Sequence, residues 1–362
     1  MRPLPSALLL TATLASACAA PPRPVAPPVV AAVRPPDPPG LQLRPHAVNI
    51  VDPEAAAETA AFLQNRANGL PRAAAGFYAH FADEYDFLYV CSDGPIEAPS
   101  VGVYTLVRRD AIPGTGNTRL QGSGYPAVAR RLRGAIALNE NEYGNGPTLH
   151  ETFHHWGVRL TSNLGFGREG ARNFGGHWGA VGVFGQEGGF DPTTLRCEDP
   201  PDARPPGCRA APDGRVRVTV GRFSSYANGG DSIPYAPLEL YLMGLIPRAE
   251  VGGPLLALDG AEMLSDDPAT RRMTWAITGT HTISMDDIVR AHGERPPAPP
   301  EERAFRGAFV LFSAQPVSAE RLDRLERWAA IFGNEASDPR LLSFERATGG
   351  RATFSTRLGA AH

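Results

Sequence analysis

Residues 150–154 read His-Glu-Thr-Phe-His, a run that narrows the fold more than any other stretch of the chain. On a helix, His150 and His154 lie four positions apart on one face, so both imidazoles reach a single metal ion. Glu151 is rotated by about 100° from His150, which places its carboxylate beside such an ion rather than on it. The spacing therefore predicts a helix bearing a zinc site. Pro147 suits the first turn of that helix and Gly157 its end.

Two histidines leave a catalytic zinc one protein donor short, because three donors plus water are expected. His177 is the leading candidate for the third. It stands among glycines in Asn173-Phe174-Gly175-Gly176-His177-Trp178-Gly179, where the backbone can bend close to a metal, and imidazole is a good zinc ligand. Glu239, in a helical segment over 237–245, is the runner-up, and Glu169 and Asp231 are further candidates. Four of the nine histidines fall between 150 and 177, which also points to a site there. His155 points about 100° away from His154 and is expected to support rather than ligate. Glu151 is the expected general base. Tyr241, and after it Tyr235, are the expected donors to an oxyanion.

The chain opens like an exported protein. Arg2 supplies a positive charge, residues 7–14 form a short apolar run, and Ala15-Ser16-Ala17 offers a small-residue cleavage site, so residues 1–18 read as a signal. The run is too short for a stable bilayer span. Cys18 follows directly, as in a bacterial lipoprotein signal, and is the expected point of lipidation and of membrane attachment. Residues 19–48 read as a linker whose Pro, Ala and Val cannot build a core. A catalytic domain is expected over 49–362, with a C-terminal subdomain from about 255 onward. An exported chain also permits oxidation of Cys197 and Cys208, which bracket a proline-rich loop, so a disulfide is expected there. Cys91 is expected as a buried thiol. The net charge of −3, without a basic block, argues against a nucleic-acid partner.

Helices are predicted over 53–63 and 71–81, each opened by proline. Strands over 86–91, 101–107 and 132–138 precede the motif helix. The glycine-rich stretch 165–189 reads as loops over the site. Further strands are predicted at 216–220, 274–278, 308–312 and 353–358, with a helix at 318–332.

Taken with the motif, the segments Asp86-Phe87-Leu88-Tyr89-Val90, His154-His155-Trp156-Gly157, Gly176-His177-Trp178-Gly179 and Tyr235-Ala236-Pro237-Leu238-Glu239-Leu240-Tyr241-Leu242-Met243-Gly244-Leu245 resemble a zincin-type metallopeptidase. The likeness is to a poorly characterised group of exported bacterial proteins. The resemblance implies an α+β fold with a mixed sheet and an active-site helix, zinc on His150 and His154, Glu151 as base, and a protein or peptide substrate. Leu160 stands where a metzincin carries its third histidine, so the chain is not a standard metzincin. Two other functions fit the same residues: a zinc amide hydrolase acting on cell-wall material, and a surface lipoprotein that uses the fold for binding alone.

Overall fold

The computed structural model describes residues 37–362 apart from 67, 99–100, 118, 141–146, 158–159, 161–163, 165–176, 224–229 and 268. The chain divides into Met1–Pro36 and Asp37–His362. The expected signal, Cys18 and Glu169 lie outside the described residues.

The unit Asp37–His362 is built on a seven-stranded mixed sheet. Six strands run in the order Leu41–Leu43, Ala47–Val51, Ala304–Ser313, Phe87–Cys91, Gly134–Leu138 and Gly102–Leu106, and Thr353–Ser355 pairs with Ala304–Ser313. Ala47–Val51, Ala304–Ser313, Phe87–Cys91 and Gly134–Leu138 are mutually parallel, while Leu41–Leu43 and Gly102–Leu106 pair antiparallel at the two sides. Parallel strands are covered on both faces, which is why the central ones are near-continuous apolar runs. Their side chains alternate. Phe87, Tyr89, Ile136, Phe309 and Leu311 face one core, and Leu88, Val90, Ala137, Val310 and Phe312 face another.

Helices α1 (Pro53–Asn65) and α2 (Pro71–Tyr78) cover the second face. Helix α1 begins where the Asp52 carboxylate accepts the Glu54 and Ala55 N–H groups ahead of a proline at the first position. The first face is covered by α3 (Thr148–Phe153), α4 (Pro237–Leu242), α5 (Met285–His292), α6 (Ala319–Phe332) and α7 (Phe344–Ala347). A four-stranded antiparallel sheet, Glu262–Asp267, Arg272–Ile277, Val216–Gly221 and Arg196–Cys197, has its own core around Phe190, Val218, Val220 and Trp275. Cys197 and Cys208 form the expected disulfide beside it, and Cys91 is buried outside any disulfide.

The mixed sheet with its helices agrees with the α+β expectation. The domain limits do not. Leu41–Leu43 pairs with Ala47–Val51, so the folded unit takes in the end of the stretch read as linker. No separate C-terminal subdomain forms either, because Ala304–Ser313 lies in the middle of the main sheet, between Ala47–Val51 and Phe87–Cys91. A three-residue strand leaves little trace in local periodicity, and the periodicity that marks 308–312 as a strand does not say that it joins strands more than 200 residues upstream.

Phe309 is fully buried on this central strand, stacked on Tyr89 with ring centroids 4.4 Å apart and edge-on to Trp328. Phe309→Ala should lower unfolding free energy by about 3–5 kcal/mol in urea titrations, whereas Leu264→Ala on an exposed strand should change it by no more than about 0.5 kcal/mol. Equal effects would contradict the placement of the core.

Candidate metal centre

The motif helix α3 is short, and tertiary contacts hold it. Leu149 and Phe153 pack into the sheet-facing core, which turns His150, Glu151 and His154 the other way. Pro147 at its N-cap offers no side-chain acceptor. Asp231 fills that role from another part of the chain, its Oδ1 accepting the Leu149 N–H at 2.8 Å. The Tyr235 hydroxyl donates to the Leu149 carbonyl at 2.7 Å. Thr152 donates to the Thr148 carbonyl at 2.6 Å and lies 2.7 Å from the hydroxyl of Tyr89 on the central sheet.

Around this helix the side chains of His150, His154, His177 and Glu187 converge, each offering a ligand atom within 4.8 Å of the others. His150 and His177 stack with ring planes 14° apart, and their Nε2 atoms are 3.1 Å apart. His150 Nδ1 donates to the Gln186 carbonyl at 2.6 Å, which fixes the tautomer and leaves the Nε2 lone pair toward the cluster. Glu187 lies 3.4 Å from His154 Nδ1, 3.5 Å from His177 Nε2 and 3.9 Å from His150 Nε2. The four residues form a group able to hold a metal ion, with His154 the member most open to solvent at 18 % side-chain exposure.

Glu187 was not among the candidates read from sequence. It sits at the tip of a tight turn closed by reciprocal Gly185 and Gly188 hydrogen bonds of 2.9 and 3.1 Å. The flanking glycines signal a turn, but nothing local marks the carboxylate as buried. Its burial comes from Glu239. That carboxylate accepts four N–H groups: Trp178 Nε1 at 2.8 Å, Gln186 N at 3.0 Å, Glu187 N at 2.8 Å and Ala236 N at 2.7 Å. A Cβ on Gly185 would collide with the Glu239 carboxylate, so only glycine lets the turn lie this close.

Glu239 is therefore the anchor of the Glu187 turn, and its filled hydrogen-bonding capacity takes it out of the ligand set. Asp231, another ligand candidate, is the helix cap instead. Tyr241 is occupied away from chemistry: its hydroxyl accepts the Arg295 N–H at 2.9 Å, while the Arg295 side chain donates to the Leu242 and Met243 carbonyls at the end of α4. Tyr235 is bound to the motif helix. His155 faces Tyr104, whose hydroxyl is 3.2 Å from its Nδ1, as expected for a supporting residue.

Glu151 stands next to the four-residue group, 3.9 Å from His154 Nε2, and the Tyr104 N–H of the edge strand Gly102–Leu106 supports its carboxylate. Gly102 permits this approach, since a Cβ there would meet Pro147 and the Glu151 side chain at 2.6 and 3.0 Å.

Burial dominates the electrostatics. It pushes His150 down to about 3, with His177 adding to the effect, and holds His154 well below the usual histidine range. It raises Glu187 well above the carboxylate range, and the neighbouring Glu239 and Glu151 raise it further. Among the described residues neither Glu187 oxygen accepts a hydrogen bond. Neutral imidazoles around a carboxylate without donors form a set that a divalent cation complements, since its charge favours the ionised acid and the imidazole lone pairs together.

Two outcomes follow. Glu239→Ala leaves four N–H groups without their acceptor, so stability should fall by at least about 3 kcal/mol and metal affinity should weaken, although no donor of the cluster is removed. Unchanged affinity in a folded variant would refute the anchoring role. Burial also pushes Glu151 from 4.5 up to about 8, so the folded chain keeps a proton that the unfolded chain loses. The stability that this proton contributes to metal-free protein is accordingly lost as pH rises from about 4.5 toward about 8, while the neutral buried histidines act in the opposite sense below about 6.5. Glu151→Gln has no such proton to lose, and urea midpoints in chelator should show the variant gaining on wild type between about pH 5 and about pH 8. An offset equal at both pH values would contradict this. Comparison with protein-family models, with curated proteins and with solved structures finds no match to this chain, so its chemistry is read from the geometry of the centre alone.

Proposed function

We propose that Asp37–His362 is a zinc-dependent hydrolase of peptide bonds, with His150, His154 and His177 holding the metal and Glu151 handling the proton. The observation that carries the reading is the buried Glu187 carboxylate, which lies among three imidazoles and has no hydrogen-bond donor among the described residues. Burying such a group costs several kcal/mol unless a cation completes it. Three nitrogens and one oxygen, with no cysteine, suit zinc. Zinc bound there would supply Lewis acidity toward a carbonyl and toward water. Glu151 takes the proton of the attacking water and returns it to the departing amine nitrogen.

A peptide substrate is supported by the sheet. Gly102–Leu106 is the last strand on its side, and its outer edge meets Glu151 through the Tyr104 N–H. An extended peptide added to that edge would run past the carboxylate. The Cys197–Cys208 disulfide supports an oxidising compartment, in keeping with export and a lipid anchor at Cys18. No helix among the described residues is long and apolar enough to cross a membrane.

A second reading is favoured by the donor count. Four protein donors are the number found in closed structural zinc sites, which would suit a surface lipoprotein that binds without catalysis. Glu151 separates the two, because a structural site has no use for it. Glu151→Gln should retain about one zinc per chain while peptide hydrolysis falls by at least about 10³-fold, whereas His150→Ala should lose both. Casein and peptide-library assays with parallel metal analysis measure this. Zinc bound by wild type with no hydrolysis of any peptide or cell-wall amide would leave the binding protein as the answer.

A further inference from the structure

We infer that Glu187 is a fourth protein donor to the metal and its releasable one, so that the resting centre is closed and opens when this carboxylate swings off. The inference rests on the reading that the cluster holds a metal, and it adds how access to that metal is controlled.

The backbone of Glu187 is held at both ends of its peptide unit. Its N–H donates to Glu239 at 2.8 Å and its carbonyl accepts the Trp178 N–H at 2.8 Å. The side chain is treated differently. Its two oxygens have no hydrogen-bond donor among the described residues, and the three imidazoles stand 3.4 to 3.9 Å from them. A carboxylate that only orients a ligand would accept a defined ring N–H, as the Gln186 carbonyl does from His150 at 2.6 Å. Glu187 instead faces the three rings together, the position of a fourth donor around a common centre. No hydrogen bond among the described residues fixes its carboxylate, and the neighbouring Glu239 disfavours its ionised form. His150, by contrast, is tied to the Gln186 carbonyl through its other ring nitrogen. The exchange breaks one metal–carboxylate contact and makes one to the incoming oxygen, with no change of oxidation state.

The test uses full-chain protein loaded with cobalt(II), and follows visible absorption during titration with azide. Azide must displace Glu187 from a centre with four protein donors or expand its coordination, so the wild-type spectrum should not change over concentrations that shift the spectrum of Glu187→Gln. Chelator competition should show zinc bound at least about tenfold more weakly by Glu187→Gln. Azide shifting the wild-type spectrum as readily as the variant's, or unchanged zinc affinity in Glu187→Gln, overturns the inference. Should Glu187→Gln fail to fold, Glu187→Asp retains the charge but withdraws it by one methylene. Azide must then shift the Glu187→Asp spectrum where wild type is silent, and silence in both overturns the inference. Failure of wild type to take up cobalt or zinc sinks the metal centre itself. Metal uptake with the expected azide behaviour but no peptide cleavage leaves Glu187 as a ligand and removes only the hydrolase.

Discussion

A carboxylate that is itself no ligand organises the centre. Glu239 sits in the first turn of α4 and gathers N–H groups from Trp178, from the Gln186-Glu187 tip and from its own helix start. Carboxylates buried with several backbone donors are among the stronger polar anchors in proteins, because each bond is charge-assisted and shielded from water. Through this one group, α4 sets the height of the glycine turn, and the turn sets both Glu187 and the Gln186 carbonyl that orients His150. The same side chain was a credible ligand candidate on chemistry alone. Its four N–H partners decide otherwise.

The motif helix depends on its surroundings in a similar way. Six residues of helix are too few to be stable alone. Asp231 at the N-terminus, Tyr235 on the Leu149 carbonyl and Tyr89 on Thr152 each bind it from a different part of the chain. Tyr89 belongs to a central parallel strand buried on both faces, so the histidines stand on a stiff support. Precise placement of metal donors requires such support, since a loosely held ligand forfeits affinity and geometry together.

The electrostatic character of the centre follows from packing more than from formal charge. The chain is nearly neutral overall, yet two buried imidazoles, the half-buried His154 and three buried acidic side chains, Glu151, Glu187 and Glu239, share one small region. Without a cation, desolvation drives the histidines neutral and Glu151 and Glu187 toward their protonated forms, while on Glu239 it is opposed by the four N–H donors. A divalent ion bound among them would reverse that balance for the groups that hold it.

Much of this molecule was legible in residue order. The zinc-type spacing of His150 and His154, the flanking Glu151, the apolar strands and the Cys197–Cys208 pair all rest on local periodicity or on short spacings, and these survive folding because neighbours in sequence remain neighbours in space. His177 was reachable too, through its glycine setting. Glu187 was not, because its neighbours in sequence say turn and only its neighbours in space say buried acid. Nor could sequence separate Glu187 from Glu239: both are glutamates near the motif, and only the fold decides which one meets four N–H groups and which one meets three rings. The central place of Ala304–Ser313 was likewise a matter of long-range pairing. Composition and spacing specified the reactive groups, and tertiary packing chose which of them face one another.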